Sequence, residues 1–361
     1  MTFNTLRQTF LLLLLVSLSG CSVPQRPVVY WPVPPNEPRL QWINTVYSAD
    51  NFDKTPGQVF AEKISGKQPL DLFKKPSGIA SDGKGKVYVA DIDAGNVKIF
   101  DFNKRTLEYL SPGPMFKLAL GLAVDSHGRL YVADGGRSQV MVFDADRRPI
   151  LTIGDPGTIS KPAFIALNER LGRIYITDSL SHRVVVFDLQ GKHLFSFGKP
   201  GSEPGDFYSP LGIAIDSQDR VFVADTLNAR IQAFDAEGTF LFAFGERGDQ
   251  EWQFEAPRGL AFDSEDHLYV AEARKSALMI FQADGTRLLR LGGKRSDKIL
   301  EFAMPSGIAI DDTDRIYITD IMNRRFTIWQ YLSADYLRDH PLDTEALEAV
   351  REKMESLKEA P

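Results

Sequence analysis

The 361-residue chain has a single cysteine, Cys21, and only five histidines. One cysteine excludes an intramolecular disulfide, a CxxCH haem attachment and a cysteine-rich metal site within the chain. The longest apolar stretch is Phe10–Leu18, which is too short for a membrane-spanning helix of about 20 residues. The formal net charge of −6 gives no cationic excess, so we expect no nucleic-acid partner.

The chain contains six copies of one pattern: an apolar β-run ending at an acidic residue, a short polar loop, and a second β-run. One copy is "IYITDSLSHRVVVFD" at 174–188. The acidic residues are Asp91, Asp134, Asp178, Asp225, Glu272 and Asp320, at steps of 43, 44, 47, 47 and 48 residues. A period of about 40–50 residues is typical of β-propeller blades. The repeats therefore predict an all-β fold, a six-bladed propeller.

Each repeat divides into four predicted strands, as at 211–216, 220–225, 230–235 and 239–245. The sixth repeat lacks a clear fourth strand, which would leave an unpaired edge. Residues 39–47, "RLQWINTVY", alternate apolar and polar side chains. We expect this N-terminal strand to complete the last blade and close the ring.

A short C-terminal helix is predicted beyond the propeller. Asp343 is a good N-cap, and an apolar stripe follows at helical spacing. The stripe consists of Leu347, Val350, Met354 and Leu357. It could pack on the propeller or on a partner, and the sequence does not choose between these. The predicted domains are a signal peptide (1–20), a proline-rich tether (21–38), the propeller (39–333) and a helical tail (334–361).

The N-terminal segment has the order of a secretory signal: basic Arg7, apolar Phe10–Leu18, then small residues before Cys21. Leu18-Ser19-Gly20-Cys21 resembles the lipobox of bacterial lipoproteins. That resemblance implies that Cys21 carries a thioether diacylglycerol and becomes the acylated N-terminus. Each buried CH₂ of the acyl chains contributes about 0.8 kcal/mol to membrane binding. Ser22 stands where many lipoproteins retained at the inner membrane have Asp, so the resemblance favours the outer membrane of the cell envelope.

The repeats themselves resemble the NHL-repeat family of β-propellers. The family's pattern is matched from Pro210 to Phe234 by "PLGIAIDSQDRVFVADTLNARIQAF", and similarity extends over about residues 70–330. The resemblance implies either a non-enzymatic binding or assembly module or, as the alternative, an enzyme such as the family's zinc-dependent amidating lyase. Lipoproteins of this type also resemble subunits found beside multihaem cytochromes, which implies a docking subunit of an outer-membrane complex.

Nothing in the chain has the pattern of a catalytic centre, so we expect no catalytic residue, metal or cofactor. The sequence favours a binding protein over an enzyme but does not decide between them. A zinc site with an open position needs several converging protein ligands. The five histidines are instead spread over different repeats and the tail: His127, His182, His193, His267 and His340.

The recurring acidic residue and the arginine of some repeats are predicted to be architectural. Asp178 ends a strand and Arg183 begins the next, so the Asp can bind loop N–H groups and the Arg can reach the carboxylate. We expect a solvent-exposed pair, which would contribute about 0–1 kcal/mol. Three repeats lack this arginine and have Asn96, Gln139 and Ala277 instead.

One face of the predicted propeller is expected to bind a partner. Loops between second and third strands share a face with the links between blades, and we call this the link face. Blades five, six and one place eight cations there, the candidate partner-binding residues: Lys74, Lys75, Arg274, Lys275, Lys294, Arg295, Lys298 and Arg324.

The links before blades four and five carry acidic residues on the same face: Glu203, Asp206, Glu246, Asp249, Glu251 and Glu255. The face is therefore predicted to have a basic side and an acidic side. This pattern fits ordinary solvated charge. It also fits a docking surface, either for an acidic partner or within a charge-complementary assembly.

Overall fold

The computed structural model describes residues 27–33, 36–52, 71–345, 347–348 and 351. The predicted signal peptide with Cys21, and the stripe residues Val350, Met354 and Leu357, lie outside the described residues. Within the described part of the chain, no helix is both long and apolar enough to cross a bilayer.

Two strands precede the first repeat: β1 (Val29–Trp31) and β2 (Leu40–Val46). Blade one contains β3 (Pro76–Ser81), β4 (Lys86–Asp91), β5 (Asn96–Asp101) and β6 (Thr106–Tyr109). Blade two contains β7 (Ala119–Val124), β8 (Leu130–Asp134), β9 (Gln139–Phe143) and β10 (Pro149–Ile153). Blade three contains β11 (Pro162–Asn168), β12 (Arg173–Asp178), β13 (Arg183–Asp188) and β14 (His193–Phe197).

The second half of the ring repeats this plan. Blade four contains β15 (Pro210–Ile215), β16 (Val221–Asp225), β17 (Arg230–Phe234) and β18 (Phe240–Phe244). Blade five contains β19 (Pro257–Phe262), β20 (His267–Glu272), β21 (Ala277–Gln282) and β22 (Arg287–Gly292). Blade six contributes β23 (Pro305–Ile310), β24 (Arg315–Asp320) and β25 (Arg325–Tyr331). Short 3₁₀ turns lie at Ala49–Asn51, Ile92–Ala94 and Thr226–Asn228. The fold is the predicted six-bladed β-propeller.

Strand β2 closes the ring, as predicted. It pairs antiparallel with β25, with Leu40 opposite Tyr331 and Val46 opposite Phe326. Strand β1 then pairs with β2, so the sheet of blade six has the order β1-β2-β25-β24-β23. This differs from an extended tether over 21–38: Val29–Trp31 forms a fifth strand because Tyr30 packs inward and the Trp31 indole Nε1 donates to the Arg290 carbonyl at 2.9 Å.

Glycines in the innermost strands let neighbouring blades approach closely around the axis. A Cβ added to Gly78 would lie 2.2 Å from the Leu120 carbonyl oxygen of blade two. At Gly307 it would lie 2.4 Å from the Ser77 carbonyl oxygen, where blade six meets blade one. Any larger side chain at these two positions would separate the strands, so the glycines set the radius of the ring.

The C-terminal region contains a helix, α1 (Ala334–Asp339), which lies within the predicted helical tail but before the predicted N-cap, Asp343. The Ser333 hydroxyl caps it by accepting a hydrogen bond from the Tyr336 N–H at 3.2 Å. Further along, the Leu347 N–H donates to the Asp343 carbonyl at 3.1 Å, the first helical bond after the predicted N-cap. The Asp343 N–H donates to the Tyr30 hydroxyl, so the start of this segment contacts blade six.

Aspartates in the turns between first and second strands are structural. Asp216 Oδ1 accepts hydrogen bonds from the backbone N–H groups of Gln218 and Arg220. Its Oδ2 accepts from Arg220 Nε at 2.6 Å. In blade five the equivalent pair is Asp263 and His267, with Nδ1 and Oδ2 at 2.9 Å.

The Asp263–His267 pair should make stability depend on pH. The hydrogen bond to Asp263 raises the pKa of His267 above its ordinary value of 6.5. The charged pair therefore stabilises the fold fully below the unfolded pKa, and this contribution is lost as the pH rises through the folded pKa. Urea unfolding should show a larger stability loss for His267→Gln at pH 5.5 than at pH 9.

The matched control is Arg220→Gln in blade four. A guanidinium stays charged over this whole range, so its stability loss should be the same at both pH values. A pH-independent loss for His267→Gln would contradict the assignment.

Candidate docking surface

Buried carboxylates fix the links on the link face. The side chains of the six recurring acidic residues are fully buried at the ends of the second strands. Asp91 accepts hydrogen bonds from the N–H groups of Lys74 and Lys75 at 2.9 and 2.8 Å. Asp320 accepts from those of Ala303 and Met304. Each carboxylate thus holds the backbone of the link that enters its own blade.

Glu272, which replaces the usual Asp, has the same function. It accepts from the N–H groups of Glu255 and Ala256 in the link and of Arg274 in the loop. Burial raises its pKa, and the hydrogen bonds oppose that shift. The substitution therefore preserves the connection between link and blade.

The arginine pairs are more buried than the expected exposed pairs. Arg325 is 1% exposed and its Nε lies 3.3 Å from Asp320 Oδ2. Its guanidinium also donates to the carbonyls of Lys298 and Glu301. The link folds over the pair and removes it from water, which the spacing of the two residues in sequence could not indicate.

Asp320→Ala should therefore be strongly destabilising. It leaves the Arg325 charge buried without its counter-ion, which typically costs about 3–5 kcal/mol, and it also frees two link amides. Urea unfolding measures the loss. As control, Asp335→Ala breaks an exposed pair with Arg338 and should change stability by at most about 0.5 kcal/mol. A similarly small effect for Asp320→Ala would show that the pair contributes little.

The candidate cations lie on this face, and seven of the eight have exposed side chains; Lys275 is half-buried. Lys275 Nζ donates to the Gln250 carbonyl. The other seven form no ion pair with any described residue. Their charges are thus available to solvent or to a partner.

Three of the cations come together around one cavity between blades five and six. Arg274, Lys275 and Arg295 line a space of about 460 Å³. Asp249 and Glu255 line it as well, so the acidic link before blade five reaches the basic loop of that blade. The two sides of the face are therefore not fully separated, because this link folds against the loop it precedes.

Arg290 also lines this cavity, and sequence reasoning missed it. It lies in the outer strand β22, where an arginine reads as an ordinary surface residue. Its Nη1 is 3.6 Å from Glu251 Oε1, whereas its buried Nε has no hydrogen-bond partner within the described residues. The strand sequence, Arg-Leu-Leu-Arg-Leu-Gly, has no alternation of exposed and buried side chains that could have identified it.

Several exposed apolar side chains lie on the same face. Leu180 is 63% exposed, Met322 54%, and Leu227 and Tyr208 50% each. Leu180, Leu227 and Met322 share one position, two residues after the buried acidic residue. Such large apolar groups at equivalent loop tips favour contact with another macromolecule over plain hydration.

Tyr208 is held rigidly by His182. The two rings stack at 5.0 Å with an interplanar angle of 13°. His182 Nδ1 accepts the Ser209 N–H at 2.8 Å, which fixes the imidazole against the link. His182 thus orients an aromatic group of the docking surface.

No group of three or more His, Cys, Asp or Glu side chains suitable for a metal ion occurs among the described residues. His127 lies in a turn on the opposite face, 3.9 Å from Glu169, and His267 pairs with Asp263. The four histidines within the propeller, of which His193 begins β14, lie in three different blades.

Family models agree with the geometry. Residues 163–245 match a family described as a 6-bladed beta-propeller, and residues 116–143 and 302–331 match the NHL repeat. The chain is thus a six-bladed β-propeller containing NHL repeats. No curated relative matches it.

Solved structures with the same fold have diverse functions. A protein of unknown function from Bacteroides thetaiotaomicron is 17% identical, with 81% of this chain and 75% of that chain covered and a TM-score of 0.59. A gluconolactonase from Xanthomonas campestris is 19% identical, with 85% and 98% covered and a TM-score of 0.58. Virginiamycin B lyase from Staphylococcus aureus is 15% identical, with 73% and 97% covered and a TM-score of 0.55. Identities this low show the fold and carry no activity over to this chain.

Proposed function

We propose that this protein is a lipid-anchored, non-enzymatic docking module of the bacterial cell envelope that binds a protein partner through its link face. The single observation that carries the docking role is the set of seven exposed cations without ion-pair partners among the described residues. Two of them, Arg274 and Arg295, line a cavity, and all seven share their face with exposed apolar groups. Their positions are fixed because buried carboxylates hold the links.

Charge and apolar groups would have separate roles in binding. Exposed cations accelerate and orient the encounter with an acidic partner. Apolar side chains at the loop tips contribute to the lifetime of the complex, because their burial removes them from water. An acidic subunit of an outer-membrane complex, such as one containing a multihaem cytochrome, fits this description.

The lipid anchor rests on the order of Arg7, the apolar stretch and the lipobox before Cys21. Two or three acyl chains bind a bilayer far more strongly than one chain, which binds only reversibly. Confinement to a membrane would also raise the effective concentration of a membrane-bound partner.

Replacing Cys21 with Ala should release the protein from membranes or leave the signal uncleaved. The measurement is fractionation of cells combined with the intact mass of the protein; a diacylglycerol adduct is expected on the wild type. Ser22→Ala is the control and should keep both the adduct and membrane association. Cys21→Ala protein of normal mature mass that stays in the membrane would refute the anchor.

Reversing Arg274, Lys275, Arg295 and Lys298 to Glu should abolish partner binding. Native protein is isolated from solubilised membranes at low and high salt, and the proteins that co-purify are identified and quantified. Charges are screened over about 8–10 Å at ordinary ionic strength, so wild-type recovery should fall with salt.

The control reverses four cations on the opposite face, Lys84, Lys104, Arg148 and Lys192, and should leave recovery unchanged. A thermal melt checks the fold of both variants. Equal recovery with the link-face variant at both salt concentrations would leave the cations as ordinary solvated charge.

A further inference from the structure

The first strands of the six blades surround the axis of the ring, and each contacts the first strand of the next blade. Each starts at the link face, where its first residue lies opposite the buried acidic residue of the blade, as Pro257 lies opposite Glu272. The second residues of these strands therefore surround the axial opening of the link face. They are Ser77, Leu120, Ala163, Leu211, Arg258 and Ser306. Arg258 has the one charged side chain in this set, and we call it the axial arginine.

The axial arginine lacks a partner among the described residues. It is half-buried, and its Nε is inaccessible to solvent and accepts no bonding partner there. The described part of the chain also gives its guanidinium no other hydrogen bond and no ion pair. Burial lowers the pKa of Arg258, and the Glu272 carboxylate opposes this shift without forming an ion pair with it. A guanidinium nevertheless stays charged, so the fold holds a partly desolvated cation.

Two other arginines have a buried Nε without a hydrogen bond, but both have partners elsewhere on the guanidinium. Arg183 Nη2 donates to the Thr158 carbonyl at 2.8 Å, and its Nε lies 3.6 Å from Asp178 Oδ2. Arg290 Nη1 lies 3.6 Å from Glu251 Oε1. The axial arginine is therefore exceptional among these three.

The fold does not require a cation at the axial position. Blades two and four have Leu120 and Leu211 there. In blade one, the buried Asp91 accepts hydrogen bonds from two link amides and forms no ion pair with any described residue. Glu272 likewise accepts hydrogen bonds from link and loop amides. A desolvated charge without a counter-ion is unfavourable, so a role in binding accounts for the axial arginine better than a role in folding.

The chemistry of a guanidinium at this place favours a carboxylate ligand. Its N–H groups form a planar fork that matches the two oxygens of a carboxylate. Binding energy at protein interfaces is concentrated in a few central residues from which water is excluded, and arginine is enriched among them. Exposed charges at the rim act mainly on the rate and orientation of the encounter. The axial arginine has the position and burial of a central contact, whereas the exposed cations have those of a rim.

We propose that Arg258 is the central contact of the docking surface and binds an aspartate or glutamate side chain of the protein partner in the axial opening. The proposal rests on the docking role proposed for the link face and names the chemical group that the face recognises. Leu120 and Leu211 are half-buried around the same opening. They supply apolar surroundings that keep water away from the ion pair, which strengthens it.

The stability of the full chain in detergent provides the first test, with the same substitution at two arginines. Arg258→Leu should leave the urea midpoint unchanged or raise it, because it removes an unpaired cation and introduces the residue of blades two and four. Arg183→Leu is the matched control and should lower the midpoint, because it removes an ion pair and a hydrogen bond to the link. Equal losses for both variants would show that the axial arginine serves the fold and would overturn the proposal.

Recovery of the partner from solubilised membranes provides the second test. Arg258→Leu should lower recovery at least tenfold at low and at high salt, because a desolvated pair is screened much less than exposed charges. Arg258→Lys should retain part of the recovery, since it keeps the charge and loses the planar fork. A carbodiimide couples amines to carboxylates and does not couple a guanidinium. Arg258→Lys protein treated with it should therefore form a cross-link between position 258 and an Asp or Glu of the partner, identified by mass spectrometry.

The outcomes separate the axial contact from the docking role. If reversing Arg274, Lys275, Arg295 and Lys298 abolishes recovery and Arg258→Leu preserves it, the axial contact is wrong and the docking role stands. Cross-links confined to other lysines of the link face would also contradict the axial contact, because the partner's carboxylates would then bind at the rim. If no protein co-purifies with the wild type, the docking role is wrong and the axial contact with it.

Discussion

A buried carboxylate that accepts backbone hydrogen bonds from the incoming link is the interaction on which the rest of this propeller depends. It occurs once in each blade, at the end of the second strand. A carboxylate removed from water is unfavourable unless its oxygens are bonded, and the link amides fulfil that requirement. The link amides, equally, would lack partners without the carboxylate. Each blade is therefore fixed to the chain that enters it, independently of the composition of the link.

This arrangement explains why the link face can vary without affecting the ring. Two residues after the carboxylate, the blades have Asp93, Gly136, Leu180, Leu227, Arg274 and Met322. None of them bears on the contacts between blades, which involve inner-strand glycines and apolar sheet faces. Charge and apolar groups can consequently accumulate on the link face and still be held in fixed positions, as a docking surface requires.

The six buried carboxylates differ in which cation neutralises their charge. Arg325 and Arg230 contact theirs directly, at 3.3 and 2.9 Å. Glu272 accepts its hydrogen bonds from backbone amides and interacts electrostatically with the half-buried Arg258. In blade two, Arg137 reaches Asp134 from within the loop, which supplies a cation even though position 139 is Gln. Hydrogen bonds from backbone amides to the carboxylate occur in all six blades. Where a cation is present as well, the sequence of the blade decides which residue supplies it.

The sequence determined the blades, their number and the closing strand, because a period of about 45 residues and alternation along strands depend only on local spacing. It also placed the cations on one face, since blade order fixes which loops share a face. Only the tertiary structure decided burial and proximity. The Asp320–Arg325 pair is covered by a link whose path is not local, and Arg290 reaches the basic cavity from an outer strand. The strand Val29–Trp31 forms because β2 has an unpaired edge to which it can bind. The sequence of that segment alone does not show that this edge exists.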